Sequence, residues 1–152
     1  MSGTLPFIFN HEHLLIDAEL QYKLNYLQRH SIVISLIEKL LQELNMKKLA
    51  PLEIIDATDF RLPGWSFIQP ITTSHISGHY FEEEYALSHL HMDVYSCKKY
   101  EWKKIFPILD DVLKLDQWSA NLVMRSVNTA KQTHKLISGK GASIVKILKI
   151  GL

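Results

Sequence analysis

Apolar positions along the chain fall into short runs and helical spacings that alternate with one another. His13 to Leu20 carries an apolar run consistent with a strand. From Ser31 to Leu44, residues Ile34, Ile37, Leu40, Leu41 and Leu44 repeat at helical spacing, with Ser31 as a candidate cap. The run Leu52 to Leu62, rich in Ile and Phe, ends at Pro63-Gly64, a turn signal. Trp65 to Thr73 and His75 to Phe81 then read as strands of an antiparallel meander. Glu82-Glu83-Glu84 interrupts the pattern before Leu87 to Cys97 resumes it, with Leu90, Met92 and Val94 alternating against His89, His91, Asp93 and Tyr95. Trp102, Ile105, Phe106, Leu109, Val112 and Leu113 predict a second helix within Glu101 to Leu115, its first turns disturbed by Pro107. Ala120 to Val127 reads as a closing strand. This order predicts an α+β fold, a two-layer sandwich in which an antiparallel sheet carries its helices on one face. One domain is expected over residues 1–128. The remaining 129–152 form a tail in which Lys131, Lys135, Lys140, Lys146 and Lys149 mix with Ile144, Val145, Ile147, Leu148 and Ile150. That tail reads either as an amphipathic end touching a membrane or partner, or as a docked or frayed element.

Composition narrows the function classes. The 152 residues are 47% hydrophobic and 22% charged, which suits one globular core. A formal charge of +1, with no basic stripe before the tail, argues against nucleic acid as the main partner. One cysteine makes no internal disulfide, and the N-terminus shows no basic region followed by an apolar run and a small-residue cleavage site. A cytoplasmic location is therefore expected. No uncharged apolar run approaches the ~20 residues that a membrane span needs.

The candidate chemistry lies in three neighbouring strand segments that hold a hydroxyl, an imidazole and the only thiol: Gly64-Trp65-Ser66, Thr73-Ser74-His75-Ile76-Ser77-Gly78-His79, and Asp93-Val94-Tyr95-Ser96-Cys97. In a strand His75, Ser77 and His79 share one face, and Ser74 meets His79 only if the backbone bends at Ser74. Gly78 allows a close backbone approach. Each residue also has a plainer reading. Cys97 alone is a small buried hydrophobe, Ser66 a turn residue and His79 a satisfied histidine. The pairs His11 and His13, His75 and His79, and His89 and His91 invite a metal reading, but no CxxC or HExxH pattern accompanies them, and no metal is expected. A thiol hydrolase built on Cys97 with His79 or His91 is a further alternative, which leaves the chain uncut.

These segments resemble the prokaryotic S-adenosylmethionine decarboxylase proenzymes. In that family a Gly-x-Ser turn precedes a Glu-Ser-His-Ile/Leu segment, a histidine lies five residues after the processing serine, and an Asp-x-x-x-Cys segment follows. His13-Leu14-Leu15-Ile16-Asp17 resembles the family's opening strand and Ile105 to Arg125 its second helix and final strand, so only the tail past about Asn128 is unmatched. The resemblance implies self-cleavage between Thr73 and Ser74, with Ser74 converted to a pyruvoyl group that serves as cofactor and forms a Schiff base with the substrate amine. Ser66 and His79 match the family's processing residues, and Cys97 its proton donor. Phe60 corresponds to an aromatic that stacks on adenine, and Glu83 lies in the loop expected to contact substrate. A homodimer with two sites near the protomer interface is implied as well.

The chain departs from the family at two places. Thr73 stands where glutamate is usual, although the acyl shift uses that residue's carbonyl and not its side chain. The stretch from His79 to Cys97 is about three residues longer, with Tyr80-Phe81-Glu82-Glu83 in place of Thr-Trp-Pro-Glu. Glu82 to Glu84 suits either a cationic substrate side chain or a solvated turn. The expected function is a pyruvoyl-dependent amino-acid decarboxylase acting on S-adenosylmethionine in polyamine synthesis. A pyruvoyl-dependent arginine or ornithine decarboxylase, and an unprocessed relative acting as a binding or regulatory subunit, stand beside it.

Overall fold

The computed structural model describes residues 11–150. Its strands are β1 (His11–Leu20), β2 (Glu53–Asp56), β3 (Gly64–Ile71), β4 (Ser74–Phe81), β5 (His89–Ser96), β6 (Leu115–Arg125), β7 (Thr133–Lys140) and β8 (Ser143–Ile150); its helices are α1 (Arg29–Glu43) and α2 (Ile105–Leu113). All eight strands join one sheet in the order β2-β3-β4-β5-β1-β6-β7-β8, and every pairing is antiparallel. Both helices contribute to the hydrophobic core on one sheet face, as the hydrophobic periodicity predicts. α1 buries Val33, Leu36, Ile37, Leu40 and Leu41, and α2 buries Ile105, Phe106, Ile108, Leu109 and Leu113. They meet the strand residues Leu14, Ile16, Phe67, Ile76, Val94 and Leu122 in that core. Each such side chain contributes about 1.5–3 kcal/mol when it leaves water. Phe106 stacks on Trp118 with ring centroids 3.8 Å apart, seating α2 on β6.

Alternate residues of the strands project from the opposite face, which neither helix covers. The burial alternation of β1, β4 and β5 puts His11, His13, His75, His79, His89 and His91 there. Gly78 faces the core instead. A Cβ at that position would lie 2.3 Å from Cζ of Phe67, so glycine makes room for the ring directly beneath the candidate site.

Several boundaries differ from the sequence pattern. Strand structure in the Leu52 to Leu62 run is confined to β2, after which the chain turns through Phe60 and Arg61. Ser31 does not cap α1: a short 3-10 turn, Tyr26–Gln28, runs straight into the helix, Gln28 takes the cap position, and the Ser31 hydroxyl donates back to the Gln28 carbonyl at 2.9 Å. β6 begins at Leu115, five residues before the expected start at Ala120. The chain reverses at once after α2 because Lys114 adopts a left-handed conformation with φ 58°, its N–H returning to the Asp110 carbonyl at 2.9 Å. Within the tail, β7 and β8 form a hairpin around Gly141-Ala142 that extends the sheet past β6. The interspersed lysines hide that alternation, because β8 is an edge strand largely open to solvent on both faces and has little need of an apolar side.

Candidate active site

The β3–β4 hairpin carries Thr72-Thr73 at its tip, and Ile71 opposite Ser74 is its last pair. Ser74 has φ 151°, a backbone conformation that L-residues avoid and that stores roughly 1–3 kcal/mol when the surroundings enforce it. The surroundings here are a clamp of hydrogen bonds. The Thr72 N–H donates to the Lys47 carbonyl at 2.9 Å, just past α1, and the Cys97 N–H donates to the Thr73 carbonyl at 2.9 Å. Ser96 donates its hydroxyl to Oγ1 of Thr73 at 3.0 Å and accepts from the Lys98 N–H at 3.0 Å. Below this turn Tyr100, buried and with its hydroxyl pushed well up by that burial, donates to the Val94 carbonyl at 2.7 Å. The Thr73–Ser74 linkage is thus strained on its serine side and polarised on its carbonyl side by a backbone donor, the arrangement that stabilises negative charge developing on a carbonyl oxygen.

At the other end of the same hairpin Ser66 and His79 are directly paired across β3 and β4, and Oγ of Ser66 shares a 2.6 Å hydrogen bond with Nδ1 of His79. The Phe81 ring stacks beside His79 at 6.2 Å with planes 10° apart. Phe60 is 89% exposed in the turn after β2, and Glu83 in the loop after β4 reaches Nε2 of His89 at 3.9 Å.

Ser74 and His79 do not meet within one chain. β4 stays in register with β5 on every rung from Ser74 opposite Ser96 to Phe81 opposite His89, so no bend at Ser74 brings them together. Five residues of extended strand separate them by about 17 Å. The structure therefore joins Thr73, Ser74 and the Cys97 backbone at one end of the sheet, and Ser66 with His79 at the other, the Phe60 and Glu83 loops lying beyond the second pair.

Between these ends lies a cluster that the sequence pattern did not single out as a unit. Asp93 on β5 accepts from Nε2 of His13 at 2.8 Å, from Nε2 of His75 at 3.4 Å, and from the Ser77 hydroxyl. Burial pushes its carboxyl up, but the hydrogen bonds from His13 and Ser77 and the charge of His75 outweigh this and bring it down to about 2. The rings of His11, His13 and His75 surround Tyr95 at 5.1–5.6 Å, and the Arg125 guanidinium lies 5.0 Å from the Tyr95 ring centre. The signal was present as parity, with Asp93 and Tyr95 two apart on one strand and His11 and His13 two apart on another, but the neighbouring of β1 and β5 is not a local property. Among the described residues no group of three His, Cys, Asp or Glu is arranged to hold a metal ion. The paired histidines take other partners, His91 meeting Asp17 at 2.6 Å.

Asp93→Asn tests this cluster. A carboxyl that titrates near 2 when folded and at 3.8 when unfolded stabilises the fold fully above about pH 4, and the contribution is lost as pH falls through about 2. The substitution is expected to lower stability by about 2 kcal/mol at pH 7, read from urea midpoints, with the gap closing between pH 4 and pH 2.

The protein is a two-layer α+β sandwich with an uncovered sheet face, and one hairpin of it carries both a strained threonine–serine linkage under a backbone donor and a serine–histidine pair. The sequence model of S-adenosylmethionine decarboxylase matches residues 12–126, most of the 152, and the chain belongs to that family. It is an S-adenosylmethionine decarboxylase-like protein, and the match ends one residue past β6, ahead of the β7–β8 hairpin. No curated protein and no solved structure gives a significant match. No helix among the described residues is long and apolar enough to cross a membrane.

Proposed function

We propose that this chain cleaves itself between Thr73 and Ser74 and uses the resulting pyruvoyl group to decarboxylate S-adenosylmethionine for polyamine synthesis. The observation that carries the reading is the Thr73 carbonyl under the Cys97 N–H at 2.9 Å, next to a serine with φ 151°. Attack by Oγ of Ser74 on the Thr73 carbonyl carbon, rupture of the C–N bond and proton transfer to nitrogen convert the amide to an ester. Loss of the Ser74 Cα proton then breaks the Cβ–Oγ bond, leaving a carboxylate on Thr73 and dehydroalanine at 74, which water converts to pyruvoyl and ammonia. The pyruvoyl supplies an electron sink once it has condensed with the substrate amine.

Proton management in this scheme falls to Ser66 and His79, which one chain holds about 17 Å from its own Ser74. A second copy meets that need. Two sheets laid with uncovered faces together and β4 strands running oppositely bring the His79 end of each protomer to the Ser74 end of the other, and a two-fold axis makes both sites equivalent. The homodimer belongs to this proposal for that reason.

Cys97 is assigned as the proton donor to the carbanion left by carbon dioxide. Its backbone N–H, and not its thiol, serves the Thr73 carbonyl, so Cys97→Ala separates the two steps. That variant is expected to fragment normally, while turnover falls about 100-fold or more, the usual contribution of a positioned acid. Intact mass and a denaturing gel of the wild-type chain test the proposal as a whole: two fragments divided at Ser74, the larger with a blocked N-terminus, together with release of labelled carbon dioxide from S-adenosylmethionine. Release from arginine or ornithine instead would reassign the substrate, and an uncut chain would leave a binding subunit.

A further inference from the structure

A cavity of about 410 Å³ lies against the Thr72-Thr73 tip on the side of α1, lined by Asn45, Lys47, Thr73, Ser96, Lys98 and Lys99 among others, with no Asp or Glu in its wall. Three exposed lysines, Lys47, Lys98 and Lys99, belong to its lining, and among the described residues none of them forms an ion pair with a carboxylate within 4 Å. Lys99 acts on the buried Glu12, which leaves Lys47 and Lys98 for another anion. Both are rooted in the clamp itself. The Lys47 carbonyl accepts from the Thr72 N–H at 2.9 Å, and the Lys98 N–H begins the chain of hydrogen bonds through Ser96 to Oγ1 of Thr73. A cavity whose lining holds three lysines and no carboxylate, tied by backbone on both sides to one peptide linkage, is suited to an anion that the linkage itself produces.

We propose that this cavity is a carboxylate site whose ligand is the new α-carboxylate of Thr73. The inference rests on self-cleavage at Ser74 and deepens it. In the elimination the Cβ–Oγ bond of Ser74 breaks and its electron pair leaves with the Thr73 acyl oxygen. Lys47 and Lys98 stabilise that charge as it forms, so they act on the leaving group, and they then hold the end of the shorter fragment against the body of the protein. The earlier amide-to-ester shift creates no carboxylate and does not need them.

The test is the time course of scission in the wild type and in the double variant Lys47→Gln/Lys98→Gln, with samples quenched in hydroxylamine. Hydroxylamine splits the ester intermediate into a Thr73 hydroxamate and a larger fragment with a free serine amine, whereas completed elimination leaves a blocked pyruvoyl end. The double variant is expected to complete scission about tenfold more slowly and to accumulate the ester. Lys47→Arg/Lys98→Arg, which keeps the charge, is expected to restore the rate. With the wild type alone, inorganic phosphate is expected to slow scission relative to chloride at equal ionic strength by occupying the cavity, a measurement that stands even if the glutamine variant fails to fold. Scission of the wild type combined with no ester accumulation in a folded double variant, or with no difference between phosphate and chloride, overturns the carboxylate site and leaves self-cleavage intact. A wild-type chain that never fragments overturns both.

Discussion

Ser74→Ala is expected to leave one full-length chain on a denaturing gel, with no carbonyl reactive toward hydrazine and no carbon dioxide release. The substitution removes the hydroxyl assigned by the proposal to attack the Thr73 carbonyl while sparing the backbone bonds that hold the turn. The Thr72 and Cys97 N–H bonds are main-chain, and alanine keeps the Cβ, so the strained φ of 151° persists. Thermal unfolding should therefore match that of the uncut precursor. Ser74→Gly sharpens the comparison. It is uncut as well, but glycine tolerates this conformation, and relief of roughly 1–3 kcal/mol of strain against about 0.5–1 kcal/mol of added chain entropy predicts a net gain near 1 kcal/mol. A Ser74→Ala chain that still divides at the same bond would show that another group is the nucleophile.

The second large effect concerns two chains. Ser74→Ala keeps Ser66 and His79, and His79→Ala keeps Ser74, so neither variant alone is expected to fragment. Mixed and refolded together, the heterodimer regains one complete site: the histidine end of the Ser74→Ala protomer serves the serine of the His79→Ala protomer. At equal amounts about half of the His79→Ala chains are expected to divide, because random pairing places half of them with the complementary partner, and the Ser74→Ala chains are expected to stay whole. The mass difference between the two variants reads this directly. Scission of His79→Ala by itself would remove the imidazole from processing. No scission in a mixture that demonstrably contains heterodimer would refute the two-chain site. The geometry behind the expectation is the unbroken β4–β5 ladder from Ser74 to Phe81.

Much of the fold was readable as local pattern. Leu90, Met92 and Val94 alternate with His89, His91, Asp93 and Tyr95, and β5 buries the first set and projects the second. α1 and α2 follow the apolar spacing because their inward stripes need only a sheet face to cover. Where the reading fell short, backbone turns and a strand's place in the sheet decided the outcome, neither of which apolar spacing records. β6 starts early because Lys114 turns left-handed under Asp110, and Ser31 loses its cap position to a 3-10 turn beside which Arg29 reaches Asp56 on β2 at 2.9 Å. The β7–β8 hairpin escaped notice because an edge strand with solvent on both sides carries almost no alternation.

The candidate site divides in the same way. Residue types and spacing by themselves pointed to the family the chain joins, singled out Ser66, Ser74, His79 and Cys97 as candidates, and put His75, Ser77 and His79 on one strand face, since side-chain parity and motif spacing are properties of the covalent chain. Only the tertiary structure decided that Ser66 meets His79 at 2.6 Å and not Ser74, that Cys97 offers its N–H to the Thr73 carbonyl, and that His13, His75 and Asp93 form one network. The physical reason is that a paired strand cannot fold back on itself: residues on one strand stay as far apart as their number dictates, and only pairing between strands remote in sequence sets what lies opposite each of them.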